Sequence, residues 1–229
     1  MSDVILFKGK CHILSHFYPS KIRLFGFQFP SAEIAYQYVK SRAHGAFNES
    51  VQICSTNDPV IAKQLGRRIK SRNWDQIKSL VMLRIDFEKF SQNRDLRDYL
   101  LSTGNKILQE NVNDKYWGNE NNEAGKILMY LRSCFLASIS CFPKNVIVGD
   151  SLTRNILVEN ARTATLPGAN AQFVMTIAHV VCGPGTQWAF IVAGTNDLVD
   201  REGKVYNKPG KVNCAKYNKW SPGNDKSDS

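Results

Sequence analysis

The sequence predicts an α+β protein: a mostly helical first part with a few short strands, then a truncated α/β segment and a flexible tail. Three observations carry this. Residues 4–29 alternate apolar and polar side chains around Pro19 and Gly26, the pattern of short strands and turns. Between 31 and 138, apolar residues recur at helical spacing, as in Ile61, Leu65 and Ile69 or Ile77, Val81 and Ile85. Beyond Pro143, the compact apolar runs Asn145–Leu152 and Trp188–Ala193 read as buried strands with a helical stretch, Gln172–Val181, between them.

In chain order, Met1–Phe7 reads as a first strand. Ser31 caps a helix over 31–42, with Glu33 in its first turn where the dipole favours an anion. Residues 43–57 are small and polar and read as a loop. Asp58-Pro59 is a cap followed by proline at the first helical position. Trp74 opens a longer helix, Asn93 a short one that ends near Gly104, and Lys106–Glu110 a strand. Residues 119–123 form a polar loop before an amphipathic helix over 124–138. The composition shifts at 141–144, so we divide the chain into domains at 1–141 and 144–200 and a basic tail at 201–229.

Composition bounds the function. In 229 residues with 43% hydrophobic side chains there is enough apolar material for a real core. No apolar run approaches the ~18 residues of a membrane span, so no membrane partner is expected. The N-terminus lacks the marks of a signal peptide. Six scattered cysteines with no C-x-x-C pair point to free thiols in a reducing compartment, the cytoplasm with the nucleus left open, and away from zinc; no metal and no cofactor are expected. The net charge of +10 is denser in the first 143 residues, with Lys63, Arg67, Arg68, Lys70, Arg72 and Lys78 close together. That cluster reads either as attraction to a phosphate or as a solvated basic face.

The candidate chemistry lies in three stretches. Helical spacing lines up Glu33, Gln37 and Lys40 in a polar stripe on an otherwise apolar helix. Asn113–Gly118 joins Asp114 to Tyr116, Trp117 and Gly118. Asn73-Trp74-Asp75 adds a second tryptophan. With Leu14–Pro19, Pro30–Glu33, Gly66-Arg67, Leu100–Gly104 and Asn122-x-x-Gly125 in the same order, residues 5–137 resemble the NADAR family, which includes riboflavin-intermediate N-glycosidases and enzymes acting on ADP-ribose conjugates. The resemblance implies catalytic roles for Glu33 and Asp114, with either one as acid or base. Substrate binding would fall to Gln37, Lys40, Arg67, Trp74, Trp117 and Gly118, and the two carboxyl groups would share one cavity walled by the tryptophans. Carboxylates suit cleavage of an N-glycosidic bond, which passes through an oxocarbenium-like sugar. Two positions depart from the family: His16 where asparagine is common, and Ile34 where histidine is common.

The second part resembles the GDSL/SGNH hydrolases over 144–200. Gly149-Asp150-Ser151 would present the nucleophile, and Gly168 and Asn196 would help form the oxyanion hole. The Asp-x-x-His that supplies the base is absent, and His179 lies inside a helical stretch. A serine hydroxyl without a base is a weak nucleophile, so these residues read as vestigial. The expected function is N-glycosidase action on a phosphorylated ribosyl or ADP-ribosyl small molecule, or on ADP-ribosylated nucleic acid. The alternatives are a nucleotide-binding module without turnover and an esterase centred on Ser151, disfavoured by the missing base.

Overall fold

A computed structural model describes residues 3–70, 73–153, 156 and 158–193. The fold is organised around α1 (Ala32–Ala43). Ser31 caps it in extended backbone, its hydroxyl accepting the N–H of Ile34 at 3.3 Å. Every α1 residue except Lys40 and Arg42 is buried, and a helix buried all round must satisfy its polar side chains internally. It is covered by α2 (Phe47–Ser55), α3 (Pro59–Arg67), α4 (Trp74–Gln92) and α7 (Ala171–Val181).

The helix α2 corrects the loop expected over 43–57. Its core face is Ser50 and Ile53, while Phe47 and Val51 stay exposed. With one large apolar residue turned inward, its periodicity is too faint to see in the sequence, and packing on α1 and α3 holds the helix instead. At α3 the Asp58 carboxylate accepts the Val60 N–H at 2.9 Å and Pro59 takes the first position. Ile77, Val81 and Ile85 are buried along α4, but so are Asp86 and Lys89. α5 (Arg94–Ser102) follows, and the chain turns at Gly104 with φ +57°.

Strand β1 (Val4–Phe7) pairs in parallel with β4 (Ile107–Glu110), and β2 (Ile22–Leu24) pairs antiparallel with β3 (Phe27–Phe29). Helix α6 (Glu123–Ala137) crosses β4 closely at Gly125, where a Cβ would stand 1.9 Å from the Leu108 carbonyl oxygen.

In the second part, β5 (Asn145–Gly149) lies between β6 (Ala161–Thr165) and β7 (Trp188–Val192), all parallel. Strand β6 leaves no mark in the sequence, since Ala-Arg-Thr-Ala-Thr carries no large apolar residue. This sheet does not stand apart. Helix α7 lies on α1 and α4, Arg84 donates to the Cys182 carbonyl at 2.8 Å, and one apolar cluster runs from Phe7 to Ala189. Among the described residues no helix is long and apolar enough to cross a membrane.

Candidate active site

The polar stripe of α1 points inward. Glu33 is 5% exposed and Gln37 6% exposed. Gln37 Nε2 donates to Glu33 Oε1 at 2.7 Å, and Lys40 Nζ donates to the Gly66 carbonyl at 3.0 Å. Gly66 is required there: a Cβ would fall 1.7 Å from Gln37 Oε1. That amide oxygen is buried with no hydrogen-bond partner among the described residues. Burial lowers the Lys40 pKa, opposed by Asp75 and Glu33.

Asp114 shapes its own turn. Its Oδ1 accepts the backbone N–H of Tyr116 and of Trp117, each at 2.9 Å, and its carbonyl accepts the Gly118 N–H at 3.0 Å. Gly118 has no room for a side chain, since a Cβ would meet the Val112 carbonyl oxygen at 2.5 Å. The turn presents Trp117, half-buried, to α1. Its ring stands perpendicular to Tyr36 at 5.8 Å and edge-on to His16 at 6.2 Å. Tyr36 is one helical turn from Glu33, and the Glu33 N–H donates to the His16 carbonyl at 3.0 Å. Trp117 therefore touches the two residues that flank Glu33, one along the helix and one across it.

Trp74 is 4% exposed and backs this arrangement. Its Nε1–H donates to the Tyr36 hydroxyl at 2.7 Å, and its ring lies between Tyr36 and His44. Burial raises the Tyr36 pKa, against the pull of that bond. Tyr116 bonds the Ser79 hydroxyl and carries the Lys78 ammonium over its ring at 3.5 Å. Of the basic cluster, Arg67, Arg68 and Lys70 are exposed and Lys63 half-buried, while Arg72 lies outside the described residues.

A buried charged group joins this site, of which the sequence pattern marks only His16. His16 Nε2 bonds Asp86 Oδ2 at 3.0 Å, both side chains almost wholly enclosed. Lys89, also enclosed, donates to the carbonyls of Ile13 and Ser15 at 2.7 and 2.8 Å. Burial alone would lower the His16 pKa, but Asp86 and then Glu110 outweigh it, so the imidazole is raised above its ordinary value. Burial pushes Lys89 down to about 8. Burial also raises Glu110, opposed by His16 and Lys63 and reinforced by Glu33 and Asp86. A signal existed: Asp86 and Lys89 share helical register with Met82, on the face that Ile85 also buries. Ile34, the other departure, is in the apolar core.

Ser151 is exposed and opens a short 3-10 turn, Ser151–Thr153, at the carboxyl end of β5. Gly168, φ +75°, follows β6. Asn196 and the 201–229 tail lie outside the described residues. An open cavity of about 350 Å³ lies at the seam of the two parts, between His44, Lys70 and Asn73 on one side and Gly168, Asn170 and Phe173 on the other.

Comparison with known proteins places the first part in a family. The NADAR domain profile matches residues 7–135. The N-glycosidase YbiA of Shigella flexneri is 32% identical over 127 residues, 52% of this chain and 78% of that protein. A riboflavin biosynthesis protein of Vibrio vulnificus is 34% identical over 52% of this chain but only 34% of its own length. The solution structure of Escherichia coli YbiA superposes with a TM-score of 0.54 at 30% identity, covering 60% of this chain and 88% of that one.

Proposed function

The chain belongs to the NADAR domain family, and from that premise we propose that residues 1–141 hydrolyse the N-glycosidic bond of a phosphorylated ribosyl compound. Relatives named N-glycosidase and riboflavin biosynthesis protein support the reaction class. A ribosylaminopyrimidine phosphate or an ADP-ribose adduct fits the chemistry, with the basic residues of α3 and its C-terminal end to draw the phosphate.

The observation that carries the reading is Glu33, a carboxylate buried in a helix and oriented by Gln37, linked to the Asp114 turn through Tyr36 and Trp117. In the reaction a water oxygen bonds C1′ as the C1′–N bond breaks. The bonding pair leaves with the nitrogen, which takes up a proton. Glu33 stabilises the cationic sugar and receives the proton that the water loses, a role typically worth a factor of ~10² to 10⁴. Trp117 offers a half-buried aromatic face to the departing base.

We read residues 144–200 as an SGNH-like segment without hydrolytic activity. In support, Ser151 stands at the carboxyl end of the central strand and Gly168 beyond its neighbour.

The test incubates the protein with ribosylaminopyrimidine phosphates and with ADP-ribosylated nucleic acid and measures released base and sugar. Glu33→Gln is expected to remain folded and to lose ~10²-fold or more in rate, and Asp114→Asn, which loosens the turn that presents Trp117, to lower the rate as well. Binding without release in the wild type would instead make this a nucleotide-binding module.

A further inference from the structure

We propose that His16, held by Asp86, is the general acid that protonates the departing nitrogen; this rests on the N-glycosidase reading above. Three observations lead there. First, Asp114 Oδ1 is already committed to two backbone N–H groups of its own turn. A carboxylate anchored in this way serves as an acceptor and is poorly placed to deliver a proton.

Second, the imidazole is oriented. Nε2 faces Asp86 Oδ2 at 3.0 Å, which fixes the N–H on that nitrogen, and Nδ1 has no hydrogen-bond partner among the described residues. A histidine whose one nitrogen is tied to a buried carboxylate exchanges its second proton through the other.

Third, His16 adjoins Glu33 along the backbone and Trp117 through its ring. His16 receives the Glu33 N–H on its backbone carbonyl and stands edge-on to Trp117. It lies as deep as Glu33, at 3% exposure against 5%. The charged groups around it are Asp86 and Lys89 from α4 and Glu110 from β4, and the balance of their fields with burial raises its pKa.

The step balances. His16 Nδ1–H gives its proton to the ring-substituent nitrogen as the C1′–N bond breaks, and the bonding pair becomes the nitrogen lone pair. Water supplies the new C1′–O bond and passes its proton to Glu33. Solvent returns the proton from Glu33 to His16 between turnovers.

The test compares wild type and His16→Asn on two substrates in the same preparations. One is a ribosylaminopyrimidine phosphate, whose amine must be protonated to leave. The other is p-nitrophenyl riboside 5-phosphate, whose phenolate leaves unaided. His16→Asn is expected to lose ~10² to 10⁴-fold on the first and only a few-fold on the second. The fall in rate at high pH, where the imidazolium loses its proton, should vanish on the first substrate. Because both rates come from one preparation, partial unfolding cannot produce the difference. Equal losses on both substrates, or no loss on the first, would overturn the acid role while leaving the glycosidase reading intact. No release by the wild type from the first substrate would sink both.

Discussion

Gln37 donates from Nε2 to Glu33 Oε1 at 2.7 Å, and its other amide atom rests against the bare α-carbon of Gly66. The orientation of the buried carboxylate thus depends on a glycine 33 residues away in another helix. Gly66→Ala places a methyl 1.7 Å from Gln37 Oε1 and 2.5 Å from its Cδ. The amide must swing away, and Glu33 loses its partner. The expected cost is ~1–3 kcal/mol in stability, with kcat falling further than that destabilisation accounts for. Thermal melts alongside single-turnover rates check this; unchanged turnover by a folded variant would show that Gln37 does not set the carboxylate.

The Trp74 indole and the Tyr36 hydroxyl form a second buried pair, at 2.7 Å. Trp74→Phe leaves the hydroxyl without its donor, and Tyr36→Phe leaves the indole N–H without its acceptor. Each should cost ~1–3 kcal/mol. The double variant removes both polar groups, so its cost should be less than the sum. Urea unfolding of all four proteins measures the coupling, and strict additivity would mean the bond contributes nothing.

Lys89 should give stability an unusual pH dependence. Its folded pKa of about 8 lies below its ordinary value of 10.5 because burial disfavours the ammonium. Between those two values the unfolded chain binds more protons than the folded one, so stability rises with pH across that window. Below about 8 both states are protonated and the penalty is present in full. Lys89→Met removes this slope. It also leaves the Ile13 and Ser15 carbonyls unpaired, so its absolute stability should drop. The informative readout is the difference in slope between pH 8 and 10, and equal slopes would refute the assignment.

Ser151 should not turn over p-nitrophenyl acetate. The hydroxyl is exposed in a 3-10 turn, and His179 is on α7, edge-on to Phe25 at 6.3 Å. Hydrolysis abolished by Ser151→Ala would reveal a base that the sequence conceals.

Much of this architecture can be read from the residues alone, and the exceptions share a cause. Ser31 and Asp58 announce their helices through caps, which are local chemistry. Ile77, Val81 and Ile85 announce α4 through their period. By contrast, α2 and β6 exist because neighbours cover them, and Phe-Asn-Glu-Ser-Val or Ala-Arg-Thr-Ala-Thr carries no mark of that. The site divides the same way. The stripe of Glu33, Gln37 and Lys40 follows from helical spacing, yet its burial depends on four covering helices. Asp86 and Lys89 look like the polar side of an amphipathic helix. Only their contact with His16 and the 13–15 carbonyls, 70 to 76 positions earlier, turns them inward.

The boundary at residue 143 can be tested by cutting there. Helix α7 packs on α1 and α4, with Phe173 edge-on to His44, and Asn73 reaches the Pro167 carbonyl at 2.8 Å. Removing residues 144–229 uncovers that apolar surface. Against this, Escherichia coli YbiA is a folded protein, and 88% of it matches only 60% of the present chain. The first part also supplies most of the shared apolar cluster, from Phe7 through Cys134. The expected outcome is therefore a 1–143 fragment that melts cooperatively, at a lower temperature than the whole chain, and gains affinity for apolar dyes. Adding the 144–229 piece in trans should reverse part of the shift, because the lost contacts are side-chain packing rather than shared strands. A fragment with no cooperative melt would make the two parts a single folding unit, with α7 as necessary to α1 as the helices that precede it.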